Sequence, residues 1–256
     1  MSLLDRILKN NPNHDQLGRF ATVGGVAIPN LTLTKVSGQQ GSNDGGIFKD
    51  GDGVQSYVKF YKNPEQGRTE VLAAKILNEL TVRTKNPYLA TVNGKEAVVS
   101  AWNEDLTKMT PADFQKLGPI QKIQAAKMYI GAIITKNWDI VGLDHDNILK
   151  SKASGNLYHV DPGGSFEFRA QGGPKDYGPD TAEYMSLRNP ANPSGKVFNT
   201  VFAQNPEVEH TALVALKALD MNKIHGIFKT SGVTNQKALW TAFKERVLTL
   251  LEREGL

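Results

Sequence analysis

Residues 137–164 read NWDIVGLDHDNILKSKASGNLYHVDPGG and hold the densest polar chemistry in the chain. A long apolar run over residues 119–135 ends just before them, and a loop carrying Asp139, Asp144, Asp146 and Asn147 follows. Ile148-Leu149-Lys150 and Asn156-Leu157-Tyr158-His159-Val160 then read as two short strands joined at Ser154-Gly155, with Asp161-Pro162-Gly163-Gly164 closing the second. Such a hairpin sets Asn147 beside Asp161. Carboxylate and amide oxygens placed this way suit Mg²⁺, which takes one or two protein ligands together with substrate phosphates. Asp and Asn flanking strands are also ordinary turn formers, so the rest of the chain decides between the two readings.

Upstream, the glycine-rich segment from Gly38 to Gly53 reads as a loop region, followed by an alternating strand over residues 54–61 with Lys59 at its centre. A helix comes next. Asn63 is placed to cap it, Pro64 to open it and Gln66 to return the capping hydrogen bond, which predicts a helix over residues 64–80. Glu70, Ala73, Ala74 and Leu77 share one face of that helix, and a carboxylate on an apolar face wants a cationic partner. Residues 21–35 alternate as a half-buried strand, and Val92-Asn93-Gly94-Lys95 reads as a tight hairpin turn.

Beyond Asn103 the pattern is mainly helical. Thr110 caps a start at Pro111, residues 119–135 form a core helix, and residues 208–228 and 236–254 carry two more. Met and Trp on these helices read as packing residues. Arg169 and Lys175, in the segment after the hairpin, are placed to meet phosphate or substrate if they are not simply solvated. His159 reads as an inward strand residue satisfied by backbone, with a hydrogen bond to the metal carboxylates as the alternative.

Composition removes several classes. The chain has 256 residues with 30 Lys+Arg, 26 Asp+Glu and no cysteine, which excludes disulfides, zinc-thiolate sites and thiol catalysis. That length buries roughly 70–75% of the unfolded surface without a staple. The pI of about 9.1 comes without clustered basic residues, so no nucleic-acid partner is expected. No apolar run approaches the roughly 18 residues of a membrane span, and residues 1–6 lack the shape of a signal peptide. A soluble chain is expected, cytoplasmic or secreted into a target cell without a cleavable signal. Leu3, Leu4, Ile7 and Leu8 are expected to form a short amphipathic helix docking on the body.

The ordered set of glycine loop, strand Lys, helix Glu, Asp-rich loop with Asn, and strand-end Asp-Pro-Gly resembles the protein-kinase-like superfamily over residues 35–164. The forms Gly-Ser-Asn-Asp-Gly-Gly, Tyr-Val-Lys-Phe, Thr-Glu-Val-Leu-Ala-Ala-Lys and Val-Asp-Pro-Gly-Gly-Ser look closest to the actin-fragmin-kinase-like group. That group includes compact bacterial effector kinases and HipA-like relatives. The resemblance implies an α+β, bilobal fold with a small antiparallel β-sheet N-lobe bearing one helix and a larger helical C-lobe. It divides the chain into an extension over residues 1–20, an N-lobe over 21–101 and a C-lobe over 102–256.

By the same resemblance, ATP and Mg²⁺ are the cofactors. Gly41, Ser42, Asn43, Gly45 and Gly46 would cover the phosphates, and Lys59 would contact them while pairing with Glu70. The backbone around Val99 and Trp102 would hold adenine, and Asn147 and Asp161 the metal. Asp139 would position the acceptor hydroxyl. The family's catalytic Asp falls five residues before the metal Asn, where this chain has Gly142. Asp139 is therefore favoured with extra residues looped out, Asp144 is the alternative, and Asp146 orients Asn147 or the loop. No His-Arg-Asp is present, and Asp161 is followed by Pro-Gly rather than Phe-Gly. The implied activity is a protein kinase acting on a Ser, Thr or Tyr hydroxyl of a host or target-cell protein, as a monomer and as a bacterial effector or toxin. A small-molecule kinase, an AMP transferase and a nucleotide-binding pseudokinase stand as alternatives on the same fold.

Overall fold

The structure, a computed structural model, describes residues 21–23, 26–39, 43–203 and 205–256. The expected amphipathic segment at Leu3 to Leu8, and Gly41 and Ser42, lie outside these residues.

The run expected as one strand over residues 21–35 is four short ones. β1 (Ala21–Val23) and β2 (Val26–Ile28) form a hairpin, while β3 (Asn30–Leu31) and β4 (Thr34–Lys35) join a six-stranded sheet. The remaining strands of that sheet are β5 (Asp44–Lys49), β6 (Gln55–Phe60), β7 (Tyr88–Val92) and β8 (Lys95–Ala101), in the order β3-β7-β8-β6-β5-β4. β3 and β4 thus lie on opposite edges although only Thr32 and Leu33 separate them. Three residue steps span at most about 11 Å, so the sheet curls until its edges nearly meet. Leu31, Leu33, Phe48, Val58, Ala90, Val92, Ala97 and Val99 fill the interior of the curl. Asn93, at the β7–β8 turn, fastens the crossing: it accepts from the Leu33 N–H at 3.1 Å and donates to the Leu33 carbonyl at 2.9 Å.

Gly45 and Gly46, expected in a loop, are strand residues of β5 with φ of 146° and 138°. A Cβ on Gly45 would fall 2.0 Å from the carbonyl oxygen of Val58, and one on Gly46 2.5 Å from that of Ser37. The strand is therefore possible only because both side chains are absent. Gly46→Ala is expected to cost about 1–3 kcal/mol from backbone strain alone, read as a lowered urea midpoint. A wild-type midpoint would show that β5 shifts freely.

Only Tyr61 to Asn63 separate β6 from α1 (Pro64–Glu79). Asn63 caps α1 as expected, accepting from the Glu65 N–H at 3.1 Å. Gln66 does not complete the capping box. Its amide instead donates to the Gly163 carbonyl at 3.1 Å and the Arg169 carbonyl at 3.2 Å, which the Gly172 N–H also reaches at 2.9 Å. α1 lies along β7 and β8, yet its Leu72, Ala73, Ile76 and Leu77 belong to the core of the helical part of the molecule. Further ties run from Glu79 to Lys223 at 2.7 Å and from the Thr234 hydroxyl to Glu65 at 3.1 Å.

The larger part is built on α3 (Pro119–Thr135), whose second half is fully buried. α2 (Pro111–Gln115) precedes it with Thr110 and Asp113 in a capping box. β9 (Leu106–Lys108), not expected from sequence, pairs with β10 (Ile148–Ser151), which pairs with β11 (Leu157–His159). α4 (Glu183–Ser186) and α5 (Pro193–Phe202) were also not expected. The single helix expected over residues 208–228 is two, α6 (Pro206–Lys217) and α7 (Met221–Lys229). Asp220 splits them by accepting from the Asn222 and Lys223 N–H groups, a cap that starts a new helix. α8 (Gln236–Arg253) closes the chain. Among the described residues, no helix is long and apolar enough to cross a membrane.

Candidate active site

A cleft of about 1180 Å³ opens between the curled sheet and the helical part. From the sheet side it is lined by Asn43, Tyr57, Lys59, Val98, Ser100 and Trp102, and from the helical side by Asp139, Asn147 and Asp161.

Lys59 stands between two carboxylates, 3.0 Å from Glu70 Oε1 and 2.7 Å from Asp161 Oδ1. Burial works against its charge, but Asp161 and Glu70 overcome that and hold its pKa above the ordinary lysine value. Glu70 is driven upward by burial, which Lys59 opposes. For Asp161, desolvation by the cleft walls is outweighed by Lys59 and the Gly163 N–H, leaving the carboxyl below its usual value. The second oxygen of Glu70 accepts from the hydroxyl of Tyr61. Burial and both carboxylates raise the Tyr61 pKa, so it stays a donor. The same hydroxyl lies against Gly163, where a Cβ would fall 2.4 Å from it. Tyr61 was missed by sequence reasoning; its place in the three-residue link between β6 and α1 was the available signal.

The loop after α3 is anchored at both ends. Asn137 accepts from the Asp139 N–H at 3.0 Å, while Ile140 and Val141 point into the core. Residues 142–146 then turn outward, leaving Leu143 and Asp144 exposed before Asn147 returns. The Asn147 amide donates to the Asp139 carbonyl at 2.6 Å and its carboxylate at 3.1 Å. Asp139, rather than Asp144, is thus brought to Asn147. Asp146, expected to orient Asn147 or the loop, sits 3.7 Å from Lys108. Burial raises the Asp139 carboxyl to about 6, the Asn147 hydrogen bond opposes this, and Asp161 and Asp146 add to it.

The β10–β11 register pairs Ile148 with His159, and the Val160 N–H donates to the Asn147 carbonyl at 2.9 Å, so Asp161 emerges one step beyond Asn147. His159 is fully buried, with Nδ1 3.1 Å from the Asn147 carbonyl and Nε2 3.4 Å from the Asn137 amide. Burial lowers it to about 4, a neutral ring bracing the hairpin.

Val99 is a correction. Its side chain lies in the sheet interior and its backbone is paired with both Val58 and Tyr88, so the cleft is faced by Val98 and Ser100 instead. Four consecutive buried residues in β8 hid this phase. Trp102 does line the cleft, with Tyr57 beside it and Lys85 Nζ 5.0 Å over its ring. Burial, with Lys59 adding to it, lowers Lys85 to about 8.

Among the described residues no group of three His, Cys, Asp or Glu is arranged to hold a metal alone. The donor set fits Mg²⁺ nonetheless. Because the Asn147 nitrogen faces Asp139, its oxygen is left for another partner, and with Asp161 it offers two hard oxygens to a cation that completes its shell with phosphates.

A curled sheet lobe and a helical lobe with the cleft between them define a bilobal protein-kinase-like fold. Among solved structures, the chain is similar to the proinflammatory kinase CtkA of Helicobacter pylori, with 15% identity and a TM-score of 0.58 over 85% of this chain and 94% of that one. The N-terminal 618-residue fragment of LepB from Legionella pneumophila matches with 11% identity and a TM-score of 0.37 over 78% of this chain and 46% of that one. No protein-family model and no curated protein matches the chain.

Proposed function

We propose that the protein is an ATP- and Mg²⁺-dependent phosphotransferase acting on a Ser, Thr or Tyr hydroxyl of another protein. The observation that carries this is Lys59 held between Glu70 and Asp161 in the same cleft as the Asp139–Asn147 pair. Phosphoryl transfer needs positioning and charge neutralisation more than covalent chemistry, and these groups supply both. Lys59, fixed by Glu70, meets the phosphates of the nucleotide. Asn147 and Asp161 would hold Mg²⁺, which neutralises charge on the phosphate oxygens. Asp139, still largely ionised at neutral pH, accepts a hydrogen bond from the acceptor hydroxyl and orients it. Trp102 offers a surface for the base, and Asn43 borders the phosphates.

The particular motif forms support placing the chain in the actin-fragmin-kinase-like group. The likeness to a proinflammatory bacterial kinase supports an effector acting on a target-cell protein. Transfer of label from γ-labelled ATP to a lysate protein tests the reading. In that assay Asp139→Asn is expected to lower kcat by about 10²–10⁴-fold while nucleotide affinity holds, with Asp144→Asn near wild type. The reverse pattern would move the role to Asp144.

A further inference from the structure

Trp138, next to Asp139, gathers three cations around one half-exposed ring. Lys175 Nζ is 5.2 Å, Arg169 Cζ 5.5 Å and Lys136 Nζ 5.8 Å from its centroid. Among the described residues none of the three forms an ion pair with a carboxylate. Glu183, which accepts from the Trp138 N–H at 2.8 Å, is buried and already engaged by Arg246. Lys175 is fastened by the carbonyls of Gly164 and Lys136, which occupy two of its three donors. Burial lowers Lys175 to about 7, with Lys136, Arg246 and Arg169 adding to the effect against Glu183. Burial is the main cause and Glu183 offsets part of it, so the charge that no carboxylate pairs rests, among the described residues, chiefly on Lys136 and Arg169.

The place matters as much as the charge. Arg169 and Lys175 line the main cleft, whereas Lys136 lines an adjoining cavity of about 430 Å³. Trp138 and Asp139 border both, so the cluster stands where an acceptor from the smaller cavity would meet Asp139. Asp180 also lines that cavity but pairs with none of the three cations.

We infer that Lys136, Arg169 and Lys175 around Trp138 form a subsite for negative charge flanking the acceptor hydroxyl, selecting polypeptide segments with Asp or Glu beside it. This deepens the phosphotransferase reading and rests on it for the word acceptor. The test is fluorescence anisotropy on the full chain with one labelled Ser peptide in three versions, flanked by Glu, Gln or Lys. The Glu version is expected to bind about tenfold tighter than the Gln version, and added salt to erase the difference. Arg169→Ala and Lys136→Gln, each checked for an unchanged Tm, should narrow the gap, and Arg169→Glu with Lys136→Glu should reverse the order. Equal binding of the three peptides by the wild type, or a preference that survives the paired charge reversal, would overturn the inference. An oligonucleotide of equal charge binding as tightly as the Glu peptide would overturn it too. The same peptides with γ-labelled ATP separate the two claims. Selective binding without label keeps the subsite and defeats the phosphotransferase reading; equal label and equal binding do the opposite.

Discussion

Asp161→Ala is expected to remove phosphoryl transfer by about a thousandfold or more while leaving the chain folded. Asp161 is one of two carboxylates on Lys59 and, with Asn147, supplies one of the two oxygens proposed to hold Mg²⁺, so its loss removes one tie to the lysine and half of the proposed cation site at once. Folding should survive, because much of the side chain faces the cleft and Glu70 still neutralises Lys59. The measurement is label transfer from γ-labelled ATP, with Tm alongside. Undiminished turnover would rule out the assignment. Asp161→Asn refines the test: it keeps the shape and one oxygen but not the charge, and is expected to be nearly as inactive.

The largest effect on stability is expected at Arg246, far from the cleft in sequence and fully buried. Its guanidinium donates to the Ile133 carbonyl at 3.0 and 2.7 Å, to Gly178 at 2.8 Å, and to Asp180 and the Glu183 carboxylate. It therefore holds the end of α3, the segment before α4 and, through Glu183, the indole of Trp138. Arg246→Ala strands a buried carboxylate and several carbonyls, for an expected loss of about 3–5 kcal/mol in urea unfolding. Arg246→Met combined with Glu183→Leu removes both charges and should recover part of that loss. A double variant worse than Arg246→Ala would mean the carbonyl bonds, not the ion pair, dominate.

Which parts of this site can be read from sequence follows from distance along the chain. Lys59 and Glu70 are eleven residues apart, so a strand period, a capped helix and a short link suffice to place them together. Asn147 and Asp161 come together through one hairpin whose register fixes them. Gln66, by contrast, looks like a capping partner locally, and only the fold reveals acceptors about a hundred residues away. Arg246 falls at helical spacing with Leu239, Phe243 and Leu250 on the apolar face of α8, but the carbonyls and the carboxylate that hold it lie more than sixty residues away in sequence, where no local pattern shows them. Val99 fails for another reason: β8 is covered on both faces, so alternation carries no phase. The broken strand over residues 21–35 is likewise invisible to periodicity, since the curl that lets β3 and β4 join opposite edges is a property of the whole sheet.

The helix carrying Glu70 belongs to both halves of the molecule, lying on β7 and β8 while sending Leu72, Ile76 and Leu77 into the core beneath α3. Neither half can then come apart without taking that helix from the other, which makes the two lobes a single cooperative unit of unfolding rather than two joined domains. The position of Lys59 is consequently underwritten by α7 and the turn leading into α8 through Lys223 and Thr234. A change that loosens the C-terminal helices, though it touches no wall of the cleft, reaches the lysine through α1.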